Sequence, residues 1–486
     1  MASSSSRLEA LPIELLHKII SDLKAPSPKI NVSRHLRDML PNTPTGDNTL
    51  LTSQRSLRSC LATSRALRSA TLPVLYRKVQ LSKASSVTDF NAQLERNPHL
   101  GKLVLELDLS GLAAHSATWQ EDSATLIIRW LALMPRLQSI KTPTAWTSEN
   151  YSNPQCNLDL HILKRLLRNQ LPNLRSLEWG PTVVPEFEHF LTHYSEGVKT
   201  GVTNLVARST DVEMTSIVTG LLKIMPRIQH IDLTTSNVFI VEALAGLQEN
   251  AKLLSLRTSI KPSFACVDLV EFMSSNPEMF ESLLMLDLEG DDNEILRLES
   301  TEDITKLITQ LPASLRSLNL EGFATCPAHL QLLQKHCPQL EELSFENGIQ
   351  LEDLEHMILP PHTITGETQH SPATSDDIID VKHQTVLEPM AKAVAVCKLR
   401  RRINSVTLDT ERRKAPSCIK HLRIRMMPSG EQRKLRTSVL LGGFAGGLES
   451  IQIAGKQGGD GMVDVLCKAV GWRCVRRGRE CWVERV

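Results

Sequence analysis

The chain has 486 residues, too many for one ordinary hydrophobic core, and only 4% are aromatic against 41% apolar in all, a balance that suits stacked repeats. No run approaches the ~20 apolar residues of a membrane span, and residues 1–7 lack the apolar run that a secretory signal has. The ten scattered cysteines indicate reduced thiols, not a disulfide framework. The net charge of +1 hides an asymmetry. Residues 1–90 contain 13 basic and 6 acidic residues, residues 91–397 contain 22 basic and 40 acidic residues, and residues 398–486 contain 20 basic and 8 acidic residues. An acidic middle and a basic end favour polar partners.

The first predicted helix follows residues 1–7, which we expect to be disordered. Its apolar residues recur at helical spacing and share one face; they are Leu11, Leu15, Leu16, Ile19, Ile20 and Leu23. Pro12 fits the first turn, where its missing N–H is not needed, and the run Ala25-Pro26-Ser27-Pro28 ends the helix. The pattern therefore predicts one amphipathic helix near the N-terminus.

A loop insertion over residues 24–50 is predicted to separate this helix from the next helical pattern. Helical spacing resumes at Leu57, Cys60 and Leu61. A further short helix is predicted from Ala66 to Leu72, where a proline closes it. We therefore expect residues 8–81 to form one helical docking module with an insertion.

A short pattern returns from about residue 97 onward: a proline or polar turn, followed by Leu-x-x-Leu. Its leading leucine or isoleucine stands at positions 103, 137, 174, 205, 228, 253, 283, 315 and 340, with helical stretches between them. Uneven but bounded steps are typical of a strand–helix repeat whose helical side varies in length. The sequence predicts an α/β fold in which a curved solenoid covers 97–486, with parallel strands inside, helices outside, a surface insertion at about 359–377 and a C-terminal hairpin cap at 473–486.

The N-terminal module resembles an F-box, and two motifs carry the resemblance. They are Leu11-Pro12-Ile13-Glu14-Leu15-Leu16 with Ile19-Ile20, and Cys60-Leu61-Ala62-Thr63-Ser64-Arg65-Ala66-Leu67 with the fungal-type ending Leu72-Pro73-Val74-Leu75-Tyr76. The later pattern is similar to the leucine-rich repeats of one F-box subclass. The resemblance implies a non-catalytic substrate-recognition subunit of a Skp–cullin–F-box ubiquitin ligase. Such a subunit binds a Skp-family adaptor, and through it a cullin–RING ligase, and presents a protein substrate for proteasomal degradation.

The same resemblance implies which residues bind the adaptor. Six residues match apolar positions of the module: Leu11, Pro12, Leu15, Ile19, Leu61 and Leu67. The first three match positions that pack against the adaptor, whereas the sequence leaves open which of the other three face it. Two alternatives remain for the whole chain. One is a leucine-rich interaction scaffold that the N-terminal segment caps, and the other is an enzyme within the irregular region 344–414.

No cofactor, metal site or catalytic residue is expected. Cys326-x-x-His329 and the nearby Cys337 are metal-ligating types. However, Cys337-Pro338 stands where other repeats have Met-Pro or Leu-Pro, so a buried repeat cysteine is expected there. The glycine-rich run 442–447 lacks the Gly-Lys-Ser/Thr ending of a phosphate-binding loop.

Charged segments supply the candidates for substrate contact. Acidic residues predicted for the concave face would bind a basic substrate; they are Asp287, Glu289, Asp291 and Asp292. A basic patch consists of Arg400, Arg401, Arg402, Arg412 and Arg413. This patch is open to three interpretations: a solvated face, a nuclear-import patch, or a site for an acidic or phosphorylated substrate. Aromatic residues are not interleaved with the basic patch, which disfavours nucleic-acid binding. We expect a cytoplasmic or nuclear protein without membrane contact.

Overall fold

A computed structural model of the chain describes residues 11–23, 59–112, 120–142, 162, 164–166, 168–179, 191, 199–213, 215–260, 266–290, 301–321, 323, 325–345, 421–425, 450–454, 472–477 and 480–485. The chain divides into two compact units, Met1–Ala251 and Lys252–Val486. Three predicted segments lie outside the described residues: the N-terminus 1–7 and the two insertions at 24–50 and 359–377.

The first unit begins with helices and continues with strands that alternate with helices. Its described helices are α1 (Ile13–Leu23), α2 (Arg65–Tyr76), α3 (Ala84–Arg96), α4 (Gln120–Leu133), α5 (Thr215–Lys223) and α6 (Ile240–Leu244), with a 3-10 helix at Pro98–Leu103. Residues 59–63 are also helical. The described strands are β1 (Lys78–Gln80), β2 (Glu106–Asp108), β3 (Ser139–Lys141), β4 (Ser176–Trp179), β5 (Asn204–Glu213) and β6 (His230–Asn237).

The six strands of the first unit lie side by side in chain order, and every neighbouring pair is parallel. The register aligns one apolar residue from each of five strands, at most 4% exposed: Leu107, Ile140, Leu177, Leu205 and Ile231. Because successive residues of a strand point to opposite sides, the residues flanking this row lie on the other face of the sheet. Most of those flanking residues are polar or charged, and we name their side the polar face.

A tight turn recurs before the strands and explains the repeated proline. In each turn an apolar residue donates its amide to the carbonyl three residues earlier, at 3.1 Å: Leu137 to Met134, Leu174 to Leu171, Ile228 to Met225, and Leu340 to Cys337. Proline occupies the second position of all four turns, where its fixed φ angle is favourable. The chain therefore reverses at the proline and inserts the next leucine or isoleucine into the core.

The second unit repeats the alternation of helix and strand. Its described helices are α7 (Cys266–Ser275), α8 (Pro277–Phe280), α9 (Thr301–Gln310) and α10 (Pro327–His336). Its described strands are β7 (Ser255–Ile260), β8 (Met285–Gly290), β9 (Ser317–Leu320), β10 (Glu342–Phe345), β11 (His421–Arg425), β12 (Ser450–Ala454), β13 (Trp472–Arg477) and β14 (Glu480–Arg485).

Strands β7 to β12 pair in parallel in chain order, whereas β14 joins β12 antiparallel and β13 pairs antiparallel with β14. Leu256, Leu286, Leu318 and Leu343 form the buried row here, each at most 2% exposed. Helix α9 contributes the fully buried Ile304, Leu307 and Ile308 to the core. These features confirm the predicted α/β class, a helical N-terminal region followed by parallel strands and helices. The assignment to leucine-rich repeats stays a prediction.

Candidate docking surface

Helix α1 has one buried side and one exposed apolar side. Pro12 directly precedes the helix, and its carbonyl accepts hydrogen bonds from the amides of Leu15 (3.0 Å) and Leu16 (3.1 Å). Leu16 and Ile20, four residues apart and thus on one side of the helix, are 2% and 1% exposed. They form the buried side of α1.

Helix α2 covers that buried side. A hydrophobic cluster joins Leu16 and Ile20 to Leu67 (8% exposed) and Ala70 (0%) of α2. Four further apolar residues pack against this cluster while only partly buried: Leu11, Ala66, Val74 and Leu75. Ala66 and Ala70 are small and stand one turn apart, which gives the α1 side chains room to approach the α2 backbone.

The start of α2 is fixed by a side-chain cap. Ser64 has extended backbone angles (φ −157°, ψ 164°), and its hydroxyl oxygen accepts a hydrogen bond from the amide of Leu67 at 3.2 Å. This N-cap satisfies one of the amides that the first turn of a helix leaves without a partner. Inside the helix, the buried Thr71 hydroxyl donates to the Leu67 carbonyl at 2.6 Å. Leu67 is therefore held in place from both sides.

The exposed apolar side of α1 is unusual within the described part of the chain. Six large apolar side chains are exposed there, and three of them lie on this one helix: Ile13 (41%), Leu15 (48%) and Ile19 (41%). Pro12, also exposed, shares a side with Leu15 and Ile19, since they stand at positions i, i+3 and i+7. We name Pro12, Leu15 and Ile19 the outer face of α1. Covering Leu15 or Ile19 completely would contribute about 1 kcal/mol each, because roughly half of each side chain is still exposed.

A single residue joins α2 to the sheet. Helix α2 ends at Tyr76, strand β1 begins at Lys78, and the carbonyl of Arg77 between them accepts hydrogen bonds from the amides of Leu105 and Glu106, both at 2.9 Å. The end of α2 is thus tied to the start of β2 as well as to β1.

The structure separates the six residues predicted to bind an adaptor. Pro12, Leu15 and Ile19 lie on the outer face. Leu67 lies inside the contact between the helices, where it holds α2 against α1, and Leu11 packs on the edge of that contact. Leu61 is partly buried in the helical stretch 59–63.

Comparison with known families identifies part of this module. Residues 48–115 match the family model described as the COS11 F-box domain. This stretch is an F-box domain. Its described part contains α2, β1, α3, the 3-10 helix and β2, and α1 precedes it in the chain. The match confirms the F-box resemblance, and F-box domains bind adaptors of the Skp type. No curated protein matches the chain.

Asp287, predicted to contact a substrate, is engaged inside the sheet of the second unit. It is 2% exposed; its Oδ2 lies 3.0 Å from Nε of Arg257 on β7, and its Oδ1 accepts a hydrogen bond from the Asn319 amide on β9 at 2.7 Å. The carboxylate is therefore a cross-strand partner and not an open contact point. Glu289 follows on β8, opposite Ser259. Asp291, Asp292 and the basic patch Arg400, Arg401, Arg402, Arg412 and Arg413 lie outside the described residues.

The cysteine–histidine cluster has structural roles. The His329 ring, 1% exposed, accepts at Nδ1 from the amide of Cys326 and lies with Nε2 3.0 Å from the carbonyl of Thr301. Burial raises the pKa of Cys337 to about 11, because the thiolate would lose its hydration. Within the described residues, no group of three His, Cys, Asp or Glu side chains is arranged to hold a metal ion, and no helix is long and apolar enough to cross a membrane.

The sequence pattern alone does not predict several features of the module. The apolar residues of α1 predicted to share one face span about half of its circumference. Their spacing therefore does not separate the buried Leu16 and Ile20 from the exposed Leu15 and Ile19. The small Ala66 and Ala70, one turn apart beside Leu67, are a usable signal for a close helix contact. The double hydrogen bond to the Arg77 carbonyl has no local sequence signal.

Proposed function

We propose that this chain is the substrate-recognition subunit of a Skp–cullin–F-box ubiquitin ligase. On this proposal, the outer face of α1 and the F-box domain together bind a Skp-family adaptor, which links the chain to a cullin–RING ligase. The strand–helix region binds a protein substrate and brings its lysines close to a charged ubiquitin carrier, which raises their effective concentration. The chain itself is non-catalytic, and it works in the cytoplasm or nucleus.

The observation that carries the proposal is the concentration of exposed apolar side chains on a helix packed against the F-box helix α2. Leu15 is 48% exposed and Ile19 is 41% exposed, whereas Leu16 and Ile20 on the neighbouring side of the helix are buried. Exposed apolar side chains of this kind are typical of a surface that a partner covers. Helix α1 precedes the matched residues 48–115, and its inclusion in the docking surface rests on its packing against Leu67 and Ala70.

Co-purification with a Skp-family adaptor tests the proposal. We expect the wild-type chain to bind the adaptor, and the double variant Leu15→Ser with Ile19→Ser to weaken binding by roughly 2 kcal/mol, about thirtyfold, because two anchor side chains are lost. The matched control is Leu284→Ser, since Leu284 is a comparably exposed leucine (38%) in the second unit. Circular dichroism should give the same spectrum for all three proteins.

Two outcomes contradict the proposal. A wild-type chain that does not bind the adaptor leaves the leucine-rich scaffold as the better interpretation. Binding that the Leu284→Ser control loses to the same extent as the double variant would show that the outer face has no special role.

A further inference from the structure

Three charged side chains from β3, β4 and β5 form a cluster on the polar face of the first unit. Nζ of Lys141 contacts Oε2 of Glu178, and Nη2 of Arg208 lies 3.1 Å from Oε1 of the same carboxylate. The Glu178 side chain is 10% exposed, whereas those of Lys141 and Arg208 are 36% and 42% exposed. Both oxygens of a nearly buried carboxylate are thus engaged, while the two cations reach the solvent.

Two other cross-strand ion pairs of the described residues join Lys78 with Glu106 at 3.9 Å in the first unit, and Arg257 with Asp287 at 3.0 Å in the second. At Glu178 two cations share one carboxylate. Among these three side chains the positive charges therefore outnumber the negative charge by one, and both cations are partly exposed.

The two neighbouring carboxylates of the same face are engaged by local donors. Oδ1 of Asp108 accepts hydrogen bonds from the amide and the hydroxyl of Ser110, at 3.1 and 2.6 Å. Oδ1 of Asp232 accepts from the amide and the hydroxyl of Thr234, at 3.2 and 2.8 Å. In each case one carboxylate oxygen is hydrogen-bonded to the residue two positions later in the chain.

Lys141 and Arg208 retain donors for a second carboxylate. An ammonium has three N–H groups and a guanidinium has five, and only one atom of each side chain contacts Glu178. The two cations bind adjacent oxygens of one carboxylate, so their nitrogens lie close enough for a second carboxylate to bridge them from the solvent side. A guanidinium matches the planar geometry of a carboxylate especially well.

We propose that Lys141 and Arg208 bind a glutamate or aspartate side chain of the protein substrate. This inference rests on the proposed function, because it assigns a substrate class to the sheet of a recognition subunit. It also reverses the preference expected from the acidic segment around Asp287, which favoured a basic substrate. Glu178 is a positioning residue here, since it holds the two cations side by side.

A selection from a displayed library of random heptapeptides on the full-length wild-type chain tests the proposal. We expect one position of the selected peptides to be enriched in glutamate and aspartate. For a selected peptide, replacing that acid by its amide should weaken binding to the wild type by about fivefold, as measured by fluorescence anisotropy. The same replacement should change binding to the Lys141→Gln/Arg208→Gln variant by less than about twofold, because the charge contact is already lost.

Two further variants keep the test independent of folding. Arg208→Lys preserves the charge and should retain most of the acid preference. Lys78→Gln removes an exposed cation that has its own acid, Glu106, and should retain all of it. The proposal is overturned if the wild type selects no acidic position, if it yields no binding peptides, or if Lys78→Gln loses the preference as well.

Adaptor binding separates the two proposals. The Lys141→Gln/Arg208→Gln variant should co-purify with the Skp-family adaptor as well as the wild type does, because the cluster lies on the sheet and not on α1. If the wild type selects acidic peptides but does not bind the adaptor, the acid-binding surface stands and the ligase assignment fails. If it binds the adaptor but selects no acidic position, the reverse holds.

Discussion

Leu67 and Leu15 are both leucines of the helical module. The structure predicts that truncating Leu67 mainly lowers stability, whereas truncating Leu15 mainly weakens adaptor binding. Leucine to alanine removes three carbons, worth about 0.8 kcal/mol each when fully buried. Leu67 is 8% exposed, so Leu67→Ala should destabilise the module by roughly 2 kcal/mol from transfer alone and by up to about 4 kcal/mol with the cavity left beside Leu16 and Ile20. Leu15 is 48% exposed, so Leu15→Ala should cost at most about 1 kcal/mol.

Hydrogen exchange of the α1 amides, combined with urea unfolding of the full-length chain, measures this difference. Loss of Leu67 should speed exchange in α1, because the contact that holds this helix on α2 is weakened. Leu15→Ala should leave α1 exchange close to wild type and weaken adaptor binding instead. The reasoning is refuted if Leu67→Ala leaves the exchange of α1 unchanged, or if Leu15→Ala speeds it as much.

Three further predictions concern the packing at Gly101 and the buried thiol of Cys337. Gly101→Ala should destabilise the first unit by about 1–3 kcal/mol in urea unfolding, because the added Cβ would lie 2.5 Å from the backbone oxygen of Leu133; unchanged stability would argue against this close approach. Cys337 should resist iodoacetamide at pH 8 in the folded chain, since a pKa of about 11 leaves roughly one thiolate in a thousand. The stabilisation from its neutral form should persist below about pH 9 and be lost as pH rises towards about 11. Peptide mapping by mass spectrometry measures the alkylation of Cys337, and rapid alkylation of the folded chain at pH 8 would contradict the prediction.

The fold was predictable because its main signal is local. A proline turn and a leucine three residues after the turn begins recur along the chain. In the structure that leucine is buried and its amide donates to the first residue of the turn, as Leu174 donates to the Leu171 carbonyl. Local chemistry of this kind is readable without knowledge of the neighbours. The distance between turns varies along the chain, and strands β1 to β6 and β7 to β12 still pair in parallel in chain order within each unit.

The candidate site was less predictable because it depends on partners distant in the chain. Asp287 is predicted from its acidic neighbours to contact a basic substrate, yet its partner Arg257 stands thirty positions earlier and meets it only through the register of β7 and β8. Glu178 likewise meets Lys141 and Arg208 only after three strands align. Charge counts over long segments average these pairs away, so an acidic segment does not imply an acidic surface.

The long separation between α1 and the F-box helix α2 is compatible with a single docking surface. The contact between them consists of side chains, with Leu16 and Ile20 packed on Leu67 and Ala70, and it does not depend on the length of chain between Leu23 and residue 59. Closing a longer loop costs little, about 0.6 kcal/mol for each doubling of its length. Burying Leu16, Ile20 and Leu67 contributes roughly 2 kcal/mol of stabilisation for each side chain, which exceeds the cost of loop closure several times. The position of the outer face is therefore set by α2, whose other end is tied to the sheet at Arg77, so α1 and the first strands are held in one fixed arrangement.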